Sequence, residues 1–556
     1  GTITDYPHAG VVDRGGQVFD VRAYGAKCDG TTDDRTAVQA AIDAAELVGG
    51  TAFVPAGTCY VSDTVTIGAS NVSIRGQGDG SILKFPSSVG AYITASSLSG
   101  LTVADLRIEG GGTGTGAFGS CVEFNTVTDS TIRNVTCYNP DDFGFYAIDS
   151  DRLVIDGNQV IGATARFVAG TQQPYCVLLD GTGASTVVGN TCRYVLFGIL
   201  IQSANSSDTV SVRAASAARG NTIVGNTIDG LYSHGISLNG IDSQTVIGNV
   251  VRNYPADGDS PRLAFQVKST TPVGSVSDDR AAGNIVSGNI AESVDTCFGT
   301  NDGGRTQWIG NTCRDARYDG IWLNGSIRDV VDGLTVYGFN DINDTRGCVR
   351  VEAAAAAMVS NVKCEPDSDG TSTARGIDVV SSSGNGIYDN VDLIGTFGTC
   401  ISISSGSNNT VLKGGVRLNA ATCTTAIDDD VTNTIYPRTY TYSFDATLTG
   451  QHLAGQPQRG LVVGRVCYET VTATGGGGNV NISTGQNGSV SKILASTALS
   501  TSAGTSACYD ANSGTALSAR DITAGSRIYI NVSHTGSVTS GRVGVAVMGL
   551  DGPPNS

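Results

Sequence analysis

The sequence predicts an all-β chain built as a solenoid, a parallel β-helix. Three observations carry that expectation: the composition, a degenerate repeat of 22 to 24 residues, and cysteines that recur sixteen apart. In 556 residues, 75 glycines stand against 13 prolines, beside abundant Thr, Ser, Asn and Val. Such a composition favours short strands joined by tight turns over helices. The chain is also too long for one ordinary compact domain, so an elongated fold or several domains is expected.

The repeat aligns on a first position, numbered zero. Cys holds it in CVEFNTVTDSTIRNVTC (Cys121 to Cys137), CVLLDGTGASTVVGNTC (Cys176 to Cys192), CFGTNDGGRTQWIGNTC (Cys297 to Cys313) and CVRVEAAAAAMVSNVKC (Cys348 to Cys364). Gly holds it in GFYAI from Gly144, GILIQ from Gly198, GISLN from Gly235, GIWLN from Gly320 and GIDVV from Gly376. Each unit reads as a short strand, a polar turn, a second strand usually entered through Asn or Gly, and a return of variable length. A unit of that size cannot bury its apolar side alone, so neighbours must stack.

Wherever position zero is Cys in those four units, position sixteen is Cys as well; in the five Gly units it never is. Paired occurrence predicts a bond inside each unit: Cys121–Cys137, Cys176–Cys192, Cys297–Cys313 and Cys348–Cys364. Buried free thiols filling core slots are the competing reading, and they leave the co-occurrence unexplained. The remaining six pair naturally as Cys28–Cys59, Cys400–Cys423 and Cys467–Cys508. Seven bridges would mean a protein working outside the reducing cytosol.

Three regions follow. Residues 1–16 form a polar arm, residues 17–437 the solenoid, and residues 438–556, where the repeat vanishes into strands such as LVVGRVCYETV and RVGVAVMGL, a β-sandwich. One helix is expected at about 33–48, in DDRTAVQAAIDAAELVGG, with Asp33 or Asp34 as N-cap, Val38, Ile42 and Leu47 as its apolar stripe and Gly49–Gly50 as the stop. It would cap the open end of the core. A net charge of -17 and a pI near 4.6 argue against a nucleic-acid partner, which needs a basic surface. No apolar run approaches the roughly 18 residues of a membrane span. No basic-plus-apolar leader opens the chain at Gly1; a removed leader or an upstream domain stays compatible with this.

The stretch FDVRAYGAKCDGTTDDRTAVQAAIDAAELVGGTAFVPAGTCYVSDTVTI, Phe19 to Ile67, resembles the opening segment of the pectate-lyase-like superfamily of right-handed β-helices, and within it the tailspike depolymerases of bacteriophages. The resemblance implies a right-handed solenoid with a capping helix, a homotrimer with a β-rich carboxyl-terminal domain, and a bacterial polysaccharide as substrate. It also implies a virion tail as location, with attachment through an N-terminal region absent from this sequence. The many cysteines favour the alternative of a secreted bacterial enzyme. Lyases, glycoside hydrolases and epimerases share the segment, so it selects no single reaction.

Side chains alternate along a strand, so apolar residues at positions one and three point inward and positions two and four outward. Position four then reads Asp180, Gln202, Asn239, Lys268, Asn301, Asn324 and Glu352, a polar stripe that could hydrogen-bond a sugar chain. Position two adds Glu123, Tyr146, Trp322, Arg350 and Asp378; Trp322 could stack on a sugar ring. Solvation of an ordinary outer sheet face is the plain alternative for each. Glycoside hydrolysis needs two carboxyls roughly 5 to 9.5 Å apart. Asp302 with Asp319, or Glu352 with Asp378 or Asp319, are the candidate pairs. Elimination instead needs a base and cations against the enolate, which His234, Lys268, Arg305, Arg314, Arg317 and Arg350 could supply. Neither HExxH, a Cys/His metal cluster, a P-loop nor a dinucleotide fingerprint is present, so no cofactor is expected. The leading expectation is a tailspike-like depolymerase of a bacterial surface polysaccharide; a secreted lyase or epimerase and a non-catalytic glycan-binding adhesin are its rivals.

Overall fold

The computed structural model describes residues 17–429 except 112–118, 164–173, 204–218, 255–261, 270–281, 340–345, 368–372 and a few single or paired positions after 381, and beyond 437 the backbone of the strands. The expected arm at 1–16 lies outside the described residues. Two compact units, Gly1–Pro255 and Ala256–Ser556, are each built of coils of parallel strands. The all-β parallel β-helix predicted from the repeat is the fold observed.

In the first unit each coil gives one strand to each of three parallel sheets. The sheet that carries position zero holds Ser120–Asn125, Phe143–Ile148, Tyr175–Asp180, Ile199–Gln202 and Ile236–Asn239 in register. Inward residues of the coil at Cys121, namely Cys121, Val122 and Phe124, are at most 1% exposed, while Glu123 and Asn125 face out. The second unit repeats the plan with Leu263–Lys268, Thr296–Asn301, Ile321–Asn324, Gly347–Glu352 and Arg375–Val380. Its carboxyl-terminal strands, from Arg438–Asp445 to Arg542–Asp551, switch to two antiparallel sheets. The sandwich and its trimerising role stay a proposal.

The helix spans Arg35–Glu46 and packs on the first strands of the solenoid. Asp34 is its N-cap residue but makes no capping bond; its buried carboxylate accepts from the backbone N–H of Lys27 at 2.6 Å and Cys28 at 2.9 Å. The buried face is Ala37, Val38, Ala41, Ile42 and Ala45. Leu47, expected in the stripe, is 86% exposed because the helix has ended there.

Five of the expected bridges beyond the first coil are present: the four intracoil pairs and Cys400–Cys423, with Cα atoms 5.7 to 6.0 Å apart. Cys28–Cys59 joins them near the capping helix. Cys467 and Cys508 are register partners on adjacent antiparallel strands, and their side chains lie outside the described residues. Six disulfides mark a protein of oxidising, extracytoplasmic surroundings.

The Cys/Gly alternation has a steric cause. A Cβ added to Gly144 would lie 2.5 Å from Cγ2 of Val160, sixteen residues on, and one added to Gly320 would lie 2.7 Å from Cγ2 of Val336. The branched aliphatic thus fills the slot that a disulfide fills in the Cys coils, and position zero must then be Gly.

The Asn that opens the third strand of the coil, which the repeat pattern counted as the second, builds a ladder through the core. Asn158, Asn190, Asn226 and Asn249 are each at most 1% exposed. The backbone N–H and the side-chain amide of Asn190 both donate to Oδ1 of Asn226 at 2.9 Å, and those of Asn226 donate to Oδ1 of Asn249 at 2.9 Å. Asn289 and Asn311 repeat the contact in the second unit. Each rung satisfies buried backbone groups that a tight turn would otherwise orphan.

Candidate functional site

Position four forms the expected stripe within each unit. Asp180, Gln202 and Asn239 are in register in the first, and Lys268, Asn301, Asn324 and Glu352 in the second. Lys268 is exposed at the end of a regular strand. Asn324 donates to Asn301 at 3.3 Å.

Chemistry concentrates in the second unit, where a kink changes which residues meet. Position zero turns inward together with position one, so the residue before it and the residue two after it share the outer face. Arg375 donates to Asp378 at 2.7 Å across this kink. Arg350, on the neighbouring strand and in register with Asp378, contacts Asp378 Oδ2 at 3.8 Å and Glu352 Oε2 at 3.2 Å. One guanidinium therefore touches both carboxylates, which keeps them inside the roughly 9.5 Å upper limit for a glycosidase pair. Trp322 faces outward and donates its indole N–H to Glu352 at 3.1 Å.

Asp319 sits behind this pair. Its Oδ1 accepts from the backbone N–H of Gly347 at 2.9 Å, and Arg346 stands 3.8 Å from Oδ2. Asp319 and Asp378 are both fully buried, and Oδ2 of each has no hydrogen-bond partner. Gly347 makes room between them: a Cβ there would be 3.0 Å from Cβ of Asp378. Burial is the chief cause that pushes Asp319 up to about 6, with the Asp378 charge adding to it and the Gly347 N–H, Arg346 and Arg350 opposing it. Burial likewise raises Asp378 against the pull of Arg375 and Arg350. Farther along the face, Asp295 holds Arg262 at 2.6 Å and Arg317 at 3.5 Å, and Tyr318 lies between Arg317 and Arg346. The result is a cationic rim over buried acids.

Several expected partners are not brought together. Asp302 follows Asn301 in a turn at φ 57, at the strand end opposite Asp319. About six residues of strand, roughly 20 Å, separate those levels, so Asp302 with Asp319 is not a pair; Glu352, in register with Asn324, lies about five residues, roughly 16 Å, from Asp319. His234 lies in the first unit, 5.5 Å from the ring of Phe197, in an aromatic row. Arg375 was not read from the sequence, because alternation does not foresee the kink; Asp295, Tyr318 and Arg346 lie two residues before position zero, outside the positions that alternation ranks. A charged residue just before position zero, with a complementary one two after it, is the signal that finds Arg375.

A stability test isolates Asp319. Its folded value lies above the unfolded 3.8, so the native state holds the extra proton between these values. The contribution to stability is complete below the unfolded value and is lost as pH rises through about 6. The melting temperature of the wild type relative to Asp319→Asn should therefore fall from pH 4 to pH 7; a constant difference would refute the assignment.

Residues 18–97 match the family model described as rhamnogalacturonase A/epimerase, pectate lyase-like. Residues 59–254 match the model described as periplasmic copper-binding protein (NosD). Alginate lyase 7 of Azotobacter vinelandii is 49% identical over 69 residues, which are 11% of this chain and 8% of that protein. The chain thus spans less than a tenth of the curated relative it matches. Among solved structures, the A-module of the mannuronan C-5 epimerase AlgE6 of Azotobacter vinelandii is 14% identical with a TM-score of 0.40, over 75% of this chain and 95% of that one. Pre-mature gene product 12 of bacteriophage phi29 is 13% identical with a TM-score of 0.49, over 75% and 56%. Among the described residues the one group of three or more His, Cys, Asp or Glu side chains with ligand reach is Cys28, Asp34 and Cys59, whose sulfurs are bonded to each other, so it does not suit copper. No helix among the described residues is long and apolar enough to cross a membrane. The pectate-lyase-like character of the opening segment agrees with the resemblance read from Phe19 to Ile67.

Proposed function

We propose that this protein is a depolymerase of an acidic bacterial surface polysaccharide, acting by glycoside hydrolysis on the outer face of the second unit. The observation that carries the reading is the Glu352 and Asp378 pair held on the single guanidinium of Arg350. Asp378, whose carboxyl burial raises above its ordinary range, is the general acid, and half-buried Glu352 is the base or nucleophile. Arg346, Arg350 and Arg375 supply cations for the carboxylate of a uronic acid, and a substrate that draws Arg350 outward uncovers the acid beneath it. Asp319 is a positioning residue that keeps Arg346 and Arg350 in place. The matched relatives named for lyase, epimerase and rhamnogalacturonase activities support a polysaccharide substrate. Assembly as a homotrimer on a virion tail belongs to the same reading, with a secreted enzyme as its alternative.

The test is incubation with purified acidic capsular and exopolysaccharides, following chain length and new reducing ends. Shortened products without ultraviolet absorbance of an unsaturated uronate are expected. Shortening with that absorbance would replace hydrolysis by elimination, the reading favoured by the match to alginate lyase 7. Retained binding with unchanged length would leave a non-catalytic adhesin.

A further inference from the structure

The outer face of the first unit carries a second cluster that the proposed reaction does not use. Four rings form a row: Phe143 and Tyr175 have centroids 5.2 Å apart, Tyr175 and Phe197 stack at 4.9 Å, and Phe197 meets His234 at 5.5 Å. Tyr146 stacks on Phe143 at 4.7 Å across the same kind of kink. All five side chains are half-buried and face outward. Carboxylates surround Tyr146. Glu123 is its register neighbour on one side, and Asp180 lies two positions farther along the strand on the other.

Among the described residues these acids have no counter-charge. Burial raises Glu123, Asp142 and Asp180, and among the described residues none of the groups perturbing them is a cation. Asp142 is 7% exposed, and its carboxyl has no hydrogen bond or ion pair among the described residues. It lies close to the rings: burial raises the hydroxyls of both Tyr146 and Tyr175, and the Asp142 charge adds to it. Oδ1 of Asp180 is buried with no hydrogen-bond partner. The acids are too dispersed for a metal ion, because no three of them meet at ligand distance.

We propose that this face is a second glycan site, built for a sugar that bears a protonated amino group. The rings offer flat apolar surfaces to the C–H faces of pyranose rings and bind cations through their π-systems. Glu123, Asp142 and Asp180 supply the negative charge that an ammonium group needs, with acceptors left over for hydroxyls. A uronate would meet only repulsion here, in contrast to the arginine rim of the second unit. The choice of a sugar rather than another amine rests on the reading of the chain as a glycan-handling protein, but the site does not depend on the proposed cleavage.

The experiment is calorimetric titration of the full chain at low salt with two probes, the β-1,4-linked tetrasaccharide of glucosamine and its fully N-acetylated counterpart. The glucosamine probe should bind at least tenfold more tightly. Glu123→Gln combined with Asp180→Asn, near-isosteric changes that relieve repulsion, should erase that preference. Tyr146→Ala should weaken the glucosamine probe about tenfold, and Tyr146→Phe should restore it. Glu352→Gln, in the other unit, should leave both affinities as they are. Equal affinities for the two probes would overturn the proposal, as would a preference that survives the double variant or is lost in Glu352→Gln. No cleavage is read, so failure of the hydrolytic reading leaves this result intact.

Discussion

Glu352→Gln and Asp378→Asn should each lower the rate of polysaccharide cleavage by roughly 10²- to 10⁴-fold, the usual contribution of a positioned acid or base. Glu352→Gln is the cleaner of the two. The amide oxygen can still accept from Trp322, and the side chain is only half-buried, so the melting temperature should stay close to that of the wild type. Asp378→Asn removes a buried carboxyl that two arginines share, and its activity is to be compared at a temperature where folding is intact. Asp302→Asn, in the turn just after Asn301 and two coils from Glu352, serves as the control and should keep full activity. Full activity in Glu352→Gln would exclude this pair, and loss in Asp302→Asn would move the reaction to the turn side of the sheet.

The largest effect on stability is expected from Asn226→Ala. The change strips the acceptor from both donors of Asn190 and removes the amide that donates to Val187 O at 2.9 Å and to Asn249. Several buried polar groups are left unsatisfied at once, a loss of about 3–5 kcal/mol. In a unit of this size that is a fall in melting temperature on the order of 10 °C. Asn239→Ala, on the outer face, should cost less than about 0.5 kcal/mol. Similar melting temperatures for the two variants would mean that the ladder decorates the core without holding it.

The sequence made the coil legible because the coil is a local object. Cys176 and Cys192 belong to one turn of the solenoid, so their co-occurrence is written within seventeen consecutive residues. The Asn ladder was visible only as the habit of entering the second strand through Asn. What each Asn bonds lies in the next coil, at a distance in sequence that varies with the intervening loop. The stripe from Lys268 to Glu352 followed from alternation alone. Asp378 followed from it too, but its contact with Arg375 did not, because two inward residues in succession break the alternation at position zero and fold an i, i+3 pair onto one face. Ser120 with Glu123 and Phe143 with Tyr146 meet in the same way. Asp319 was singled out as a carboxylate, yet its partner was misread: the acid that perturbs it is Asp378, two coils away, not Asp302.

The intracoil bridges also bear on how the protein answers to force. A pull along the backbone would peel coils off one at a time, each giving up its hydrogen bonds to the next. From Cys176 to Gly198 a coil holds 22 residues, and the bridge to Cys192 closes off most of them. Roughly 50 Å of chain is thereby withheld, leaving about 20 Å of slack for each bridged coil that detaches. A coil without a bridge, such as that beginning at Gly144, surrenders its whole length. Shear met outside the cell would therefore meet a chain that extends in short and long steps, with each bridge acting as a stop that adds nothing to the contacts between coils.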